Sequence, residues 1–365
     1  MITIHELGHY LAGKLLGFKI NEFSIGFGKA LFKRKSKKTG EVFAIRMIPL
    51  GGYCAFESED IAGSAGNKTE QAESEQLALE RELAGKKPLH NFNEAPPWKR
   101  LIVLFSGAFF NFVSAILFSF ILLMIAGYTQ GVRLNEGAIN AGTPNTANLQ
   151  AGDTILSVNG ERFTLLRNFG AVMSQFEAGE TIVFRIDRAG IIVYEDITVF
   201  AHPTDQRPMV GLNLRYADIV FQPMGFFEAL GRAFGFTFQL AWVILSFLWM
   251  LITGQIGLSG VGGPISTVSV MAQSLSSGFI NIFILLPLIS VNLAVFNLLP
   301  IPALDGARMV FVGIEWVRGK PINPEIEGRI HLVGLVLLMG LVLLADMNFL
   351  FGGRSMLELF GHWRL

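Results

Sequence analysis

Residues 101–127 form an uninterrupted run without one charged side chain. A helix needs about 20 consecutive apolar residues to cross a hydrocarbon core, so this run is long enough to span a membrane. A second charge-free stretch covers residues 233–304 and contains two apolar pieces, at 234–252 and 279–304. Because only helices and closed barrels satisfy the backbone inside lipid, these runs predict a multi-pass α-helical membrane protein.

The composition agrees with this prediction. Hydrophobic residues make up 51% of the chain and charged residues 16%, which is too apolar for an ordinary soluble domain. A last apolar piece extends over residues 330–351. The net charge is +0, which gives no indication of a nucleic-acid partner. The only cysteine, Cys54, excludes an internal disulfide and is interpreted as a small buried hydrophobic residue rather than a reactive thiol.

The sequence His5-Glu6-Leu7-Gly8-His9 is a candidate metal motif near the amino terminus. Positions i and i+4 of a helix share one face, so both imidazoles can bind one tetrahedral metal ion. Glu6 would lie beside the metal without being a ligand. A carboxylate there can take a proton from a water that the metal acidifies and pass it to a departing amine. The motif therefore predicts metal-assisted peptide hydrolysis, with a helix that merely carries two histidines as the alternative.

A second candidate motif covers residues 297–306 and reads Asn-Leu-Leu-Pro-Ile-Pro-Ala-Leu-Asp-Gly. Asp305 is the first charged residue after Arg232, and an ionisable group at the end of a membrane segment is costly without a partner. A metal bound by two histidines lacks a third protein ligand, which a carboxylate commonly supplies. We therefore predict that Asp305 completes the metal site; the alternative is that it only marks the interface where the helix ends.

Between the first two apolar runs lies a polar module. Its residues 149–160 contain glycine-punctuated turns around a short apolar strand, a helical pattern follows at 165–176, and alternating strands follow at 181–186 and 195–200. This order, with its Ala-Gly-Asp signature, resembles a bacterial PDZ domain. PDZ domains bind peptide ends by adding them to a sheet edge. The alternative is a module that only shields the membrane site, and residues 131–137 show no clear carboxylate-binding loop.

The two motifs and the module between them resemble the site-2 protease family of intramembrane zinc metalloproteases, in its regulator-of-sigma-E protease branch. Residues 23–28 and 48–53 resemble the membrane-associated β-hairpin region of that family. Residues 97–100 resemble its entry to the second span, and residues 263–265 resemble the segment before its aspartate-bearing helix. One departure is Ala108, where the family usually has proline, and we expect it to change helix geometry locally without affecting the metal site.

The resemblance implies that His5, His9 and Asp305 bind Zn²⁺, that Glu6 is the catalytic base, and that Asn297 and Pro302 hold substrate near the metal. It also implies single-pass membrane proteins as substrates, already trimmed by a first protease: membrane-anchored anti-sigma factors and leftover signal peptides in the plasma (inner) membrane of a bacterium.

Two other classes of protein stay open. A non-catalytic PDZ-bearing scaffold with a structural metal would not need Glu6. A transporter would carry polar residues inside its spans, whereas here they cluster at one metal-like constellation.

Lysine and arginine residues predict the topology. They are concentrated at 33–38, 99–100 and 308–329, and such residues favour cytoplasmic loops, which places the PDZ-like module outside. A further crossing at 234–252 would put Asp305 at the opposite face from the histidines. We therefore predict that this piece lies along the membrane, re-enters it or packs against the module.

The predicted organisation divides the chain as follows: a truncated first transmembrane helix at 1–18, a membrane-associated β region at 19–56, a cytoplasmic loop at 57–100 with a helix at 70–83, a transmembrane helix at 101–127, the PDZ-like domain at 128–215, a membrane-apposed linker at 216–278, a transmembrane helix at 279–306 ending in the Leu-Asp-Gly motif, a cytoplasmic loop at 307–329, a transmembrane helix at 330–351 and a tail at 352–365. Only four residues precede His5, so we expect the natural protein to begin about 15 residues earlier. The remaining histidines lack motif spacing and are expected at surfaces or interfaces: His90, His202, His331 and His362.

Overall fold

The computed structural model describes most of the chain, in two compact units. The first unit contains Met1–Ser119, Gly235–Leu258 and Ile284–Asn348, and the second contains Phe120–Phe234, Ser259–Phe283 and Phe349–Leu365. The described residues are 1–36, 39–57, 89–140, 142–145, 148–163, 169–202, 208–255, 266–269, 272 and 280–350. The predicted helix at 70–83, the segment 263–265, the tail 352–365 and His362 lie outside the described residues.

The helices and strands follow one another in a mixed order. They are α1 (Ile2–Leu16), β1 (Ile20–Lys35), β2 (Val42–Phe56), α2 (Pro97–Ala126), β3 (Tyr128–Leu134), β4 (Thr154–Val158), β5 (Glu161–Arg162), α3 (Phe169–Met173), β6 (Thr181–Arg188), β7 (Ile191–Thr198), β8 (Phe200–Ala201), β9 (Pro208–Met209), β10 (Ala217–Gln222), α4 (Phe226–Ile252), α5 (Ile280–Leu298), α6 (Asp305–Arg318) and α7 (Pro324–Leu350).

Within the described part of the chain, three helices are long and apolar enough to cross a membrane. They are α2, α4 and the segment Glu325–Leu343 of α7, with mean hydropathies of 2.4, 1.8 and 1.9. The segment Leu285–Leu298 of α5 is apolar but shorter than these three. The prediction that residues 234–252 do not form a simple span stays a prediction, because length and composition alone would allow α4 to cross.

The predicted transmembrane helix at 279–306 ends earlier than expected. The helix α5 stops at Leu298, and Asp305 does not end it but begins the next helix, α6. Pro300 and Pro302 explain the interruption, since proline lacks a backbone N–H and disfavours helical geometry in the residue before it.

The segment predicted as a loop at 307–329 is also partly helical. It contains most of α6, which ends where Gly319 takes a left-handed φ of 66°. The helix α7 then begins at Pro324, earlier than the predicted start at 330. Proline suits the first turn of a helix, where its missing N–H costs nothing. The charged residues between 307 and 329 favour a loop in the sequence. They are nevertheless compatible with helices, because charged residues are common on the exposed faces and in the first turns of helices.

The predicted β-hairpin is present, and it is curled. Residues 20–25 of β1 pair with residues 52–56 of β2. Along their other edge, residues 22–25 pair with residues 42–45. Residues 30–35 pair with residues 42–46 along the remaining edge of that segment. The hairpin therefore forms a sheet of four segments in which residues 52–56 are an edge. Left-handed glycines allow the bends, and a Cβ at Gly26 would approach the Ile48 carbonyl oxygen to 2.5 Å.

The second unit contains an antiparallel sheet in the order β10-β3-β4-β6-β7, with β5 paired to β4. Its inner side chains form a fully buried core that includes Leu134, Ile155, Phe184 and Ile197. The strand predicted at 181–186 lies in β6. The strand predicted at 195–200 overlaps β7, which starts earlier because a tight turn with left-handed residues at 189 and 190 joins the two strands. Of the helix predicted at 165–176, residues 169–176 are described; α3 covers 169–173, and residues 174–176 are not helical, so the helix ends earlier than predicted.

Candidate metal centre

Three side chains from two distant segments converge in the first unit. His5 and His9 lie on successive turns of α1, and Asp305 is the first residue of α6. His5 Nε2 lies 3.1 Å from His9 Nε2 and 3.0 Å from Asp305 Oδ2, and His9 Nε2 lies 3.2 Å from the same oxygen. The structure thus brings together the three residues predicted as metal ligands.

The triangle of donor atoms has the dimensions that a zinc ion requires. Tetrahedral zinc with bonds of about 2.0–2.1 Å places its ligand atoms about 3.3 Å apart. The side chains of His5 and His9 are about nine-tenths buried. Asp305 Oδ2 is buried as well, and none of the described residues gives it a well-formed hydrogen bond. Two imidazoles and one carboxylate form the donor set of a catalytic zinc site with an open fourth position, so these residues fit the ion.

The orientation of His9 is set by α2. Its Nδ1 lies 2.8 Å from the carbonyl oxygen of Val103. A carbonyl oxygen only accepts hydrogen bonds, so Nδ1 must carry the hydrogen, and the lone pair of Nε2 points toward Asp305. The corresponding nitrogen of His5, Nδ1, lies 3.4 Å from the side-chain amide of Asn111.

Two glycines allow α1 and α2 to touch at the level of the histidines. A Cβ at Gly8 would collide with the carbonyl oxygen of Ser106, and a Cβ at Gly107 would collide with His9 Nε2 and lie 2.6 Å from His5 Cε1. Sequence reasoning missed this role of both glycines. A glycine inside a helix costs about 1 kcal/mol relative to alanine, which is the available signal that something else requires it there. Ala108 lies within α2, which continues through it.

Glu6 lies beside the triangle and contacts the hairpin. Its Oε2 accepts a hydrogen bond of 3.0 Å from the backbone N–H of Cys54, on the edge segment of β2. A cavity of about 170 Å³ is lined by Glu6, the three candidate ligands, Tyr53 and Cys54, among others. A carboxylate, a cavity and the triangle of candidate ligand atoms are therefore in one place.

A tight turn between α5 and α6 positions Asp305 at this site. Ala303 has a left-handed φ of 76°, and its N–H donates to Nδ1 of His331 on α7 at 2.9 Å. A Cβ at Gly306 would collide with the carbonyl oxygens of Leu298 and Leu299, so only glycine lets α6 begin directly against the end of α5.

The two residues predicted to hold substrate are not among those that line the cavity. Asn297 lies in the last turn of α5. Pro302 lies in the turn before Asp305 and contacts α7, where a Cβ at Gly334 would collide with it. Their role toward substrate stays a prediction. His331, predicted at a surface or interface, is half-buried and packs edge-on against Phe311 beside this turn.

Comparisons with known proteins show which proteins this chain is similar to. The model of peptidase family M50 matches residues 1–341. The regulator of sigma-W protease RasP of Bacillus subtilis is 28% identical, over 95% of this chain and 95% of that protein. The zinc metalloprotease RasP of Oceanobacillus iheyensis is 29% identical, again over 95% of each. Among solved structures, the PDZ domain of an SdrC-like protein from Listeria innocua matches at 20% identity and a TM-score of 0.21, covering 23% of this chain and 91% of that one.

Proposed function

The chain belongs to peptidase family M50 and is an intramembrane zinc metalloprotease of the site-2 type, and from this premise we propose that His5, His9 and Asp305 bind its zinc and that Glu6 is its general base. The observation that carries the proposal is the triangle of donor atoms with edges of 3.0–3.2 Å beside Glu6. Family membership favours this function over a PDZ-bearing scaffold with a structural metal.

When bound, zinc would polarise the scissile carbonyl and acidify a water molecule. Glu6 takes one proton from the attacking water while the oxygen of that water bonds to the carbonyl carbon of the substrate. When the carbon–nitrogen bond breaks, Glu6 gives the proton to the departing nitrogen, which balances the hydrolysis. The N–H of Cys54 donates to Oε2 of Glu6 and so helps to hold this carboxylate beside the three candidate ligands.

Substrate access follows from the medium. A transmembrane helix satisfies its backbone hydrogen bonds internally, so it must unwind before a carbonyl can reach the site. The edge segment 52–56 of the hairpin would bind the unwound strand by strand addition, and Asn297 and Pro302 would help to hold that strand. Cys54, in that segment, already contacts Glu6, which supports this placement.

The substrates are single-pass membrane proteins that a first protease has trimmed. The relative in Bacillus subtilis is named a regulator of sigma-W protease, which supports anti-sigma factors as a class, with signal-peptide remnants as a second class. The PDZ-like module would lie outside the plasma membrane of a bacterium and bind peptide ends or exclude untrimmed proteins.

The substitution Glu6→Gln tests the proposed base. Cleavage of a membrane-anchored reporter should be abolished, while purified protein retains one zinc ion per chain. The control is Glu228→Gln, the same change at an exposed residue that pairs with Arg232 one helical turn away, and it should cleave normally. Normal cleavage by the Glu6→Gln variant would contradict the proposal.

A further inference from the structure

Asn111 is a buried polar residue next to the site that the proposed mechanism does not use. It lies in α2 and is fully buried. Its Nδ2 is 3.4 Å from His5 Nδ1, and its Oδ1 is buried without a hydrogen-bond partner among the described residues. A buried acceptor without a donor is unusual and calls for an explanation.

The chemistry of His5 favours the other orientation of this amide. To bind a cation through Nε2, which faces Asp305 and His9, a neutral imidazole must carry its hydrogen on Nδ1. That N–H needs an acceptor, and the side chain beside it is the amide of Asn111. The two ends of an amide have nearly the same size, so a half-turn of the Asn111 side chain exchanges Nδ2 and Oδ1 with no change in packing.

The placement of Asn111 in α2 repeats that of Val103. Val103, Gly107 and Asn111 are spaced by four residues, so they lie on successive turns of one side of the helix. Val103 accepts from the outer nitrogen of His9, Gly107 lets the helix touch both imidazoles, and Asn111 meets the outer nitrogen of His5. Val103 and Asn111, on one face of α2, thus meet the two histidines at the nitrogens that face away from the metal triangle.

Building on the proposed zinc site, we propose that Asn111 is the positioning residue of His5: its Oδ1 accepts the hydrogen bond from Nδ1–H and so directs the lone pair of Nε2 to the metal. Partners of this kind typically change metal affinity by about 10- to 100-fold when they are removed.

The test compares the zinc affinity of purified full-length variants by competition with a fluorescent zinc chelator. Asn111→Leu, which keeps the volume but has no acceptor, should weaken zinc binding by roughly 10- to 100-fold. Asn111→Ala should weaken it similarly and serves if the leucine variant does not fold. Asn111→Asp keeps the acceptor and should bind zinc nearly as tightly as the unaltered protein. Cleavage by the leucine variant should recover in excess zinc.

A residue that only fills space predicts the opposite order, because leucine packs well and a buried carboxylate does not. The inference is overturned if the leucine or alanine variant binds zinc as tightly as the unaltered protein, or if the aspartate variant loses as much affinity as leucine. The control is Ser119→Ala, which should keep the zinc affinity of the unaltered protein. Ser119 is buried farther along α2, where its hydroxyl forms a hydrogen bond with Thr237. Absence of zinc binding by the unaltered protein would instead refute the proposed metal site.

Discussion

The backbone N–H of Cys54 donates a hydrogen bond of 3.0 Å to Oε2 of Glu6, across 48 residues of sequence. Cys54 pairs with Phe23 on the neighbouring segment of the hairpin sheet, and its own N–H donates to the carboxylate of Glu6. The edge of the hairpin and the proposed general base are therefore directly connected, so a strand that adds to this edge would lie next to the base.

The substitution Cys54→Pro removes this donor. A hydrogen bond to a charged group is worth about 1.5–3 kcal/mol, so we expect cleavage to fall by roughly 10- to 100-fold. Proline is tolerated in an edge strand where its nitrogen does not face the sheet. Cys54→Ala keeps the N–H and should cleave a membrane reporter at the normal rate. An equal loss in the alanine variant would assign the effect to the thiol and contradict the role of the backbone.

The contact of α1 with α2 predicts that Gly107→Ala abolishes zinc binding, because the added Cβ would collide with His9 Nε2 and displace that imidazole. Metal analysis of the purified variant measures this. Gly235→Ala is the matched control, since a Cβ there meets nothing within 4 Å. It should retain zinc and gain about 1 kcal/mol of helix stability. Stoichiometric zinc in the Gly107→Ala variant would mean that the two helices can separate without cost.

The left-handed φ of Ala303 predicts an unusual effect of glycine. Ala303→Gly should stabilise the protein by about 1 kcal/mol, because a side chain in this conformation costs about 1–2 kcal/mol. The same change at Ala307, in the first turn of α6 and buried, should destabilise it by about 1 kcal/mol. Unfolding in detergent micelles measures both. Destabilisation by Ala303→Gly would show that the turn is not strained.

In the second unit, the aspartate of the Ala-Gly-Asp signature is predicted to be structural. Asp153 is buried and accepts two hydrogen bonds of 2.8 Å from Arg188, which raise the pKa of the guanidinium and keep it charged. Asp153→Ala removes these hydrogen bonds while Arg188 keeps Glu195 as a partner, so it should destabilise the unit by about 1.5–3 kcal/mol, measured by protease sensitivity. Asp218→Ala, an exposed control, should change stability by less than about 0.5 kcal/mol. Equal sensitivity of the two variants would exclude a structural role for Asp153.

Sequence periodicity predicted the elements that depend on local pattern. All but the last residue of the charge-free run at 101–127 lies in α2, and the glycine-rich segments at 23–28 and 48–53 lie in the hairpin. Helix ends in the last third were predicted less well. The polarity of 307–329 suggested a loop, although part of it forms α6, because a helix needs only one apolar face to pack.

The sequence by itself determined the chemistry that we propose for the site, because spacing of four places His5 and His9 on one helix face and a metal with two imidazoles calls for a carboxylate such as Asp305. Only the tertiary structure decided how these groups are held. The Val103 carbonyl and the Cys54 N–H are backbone groups, which every residue carries, so no residue type in the sequence marks them. Their roles arise where helices and a sheet edge, distant along the chain, pack within hydrogen-bond distance of the histidines and Glu6.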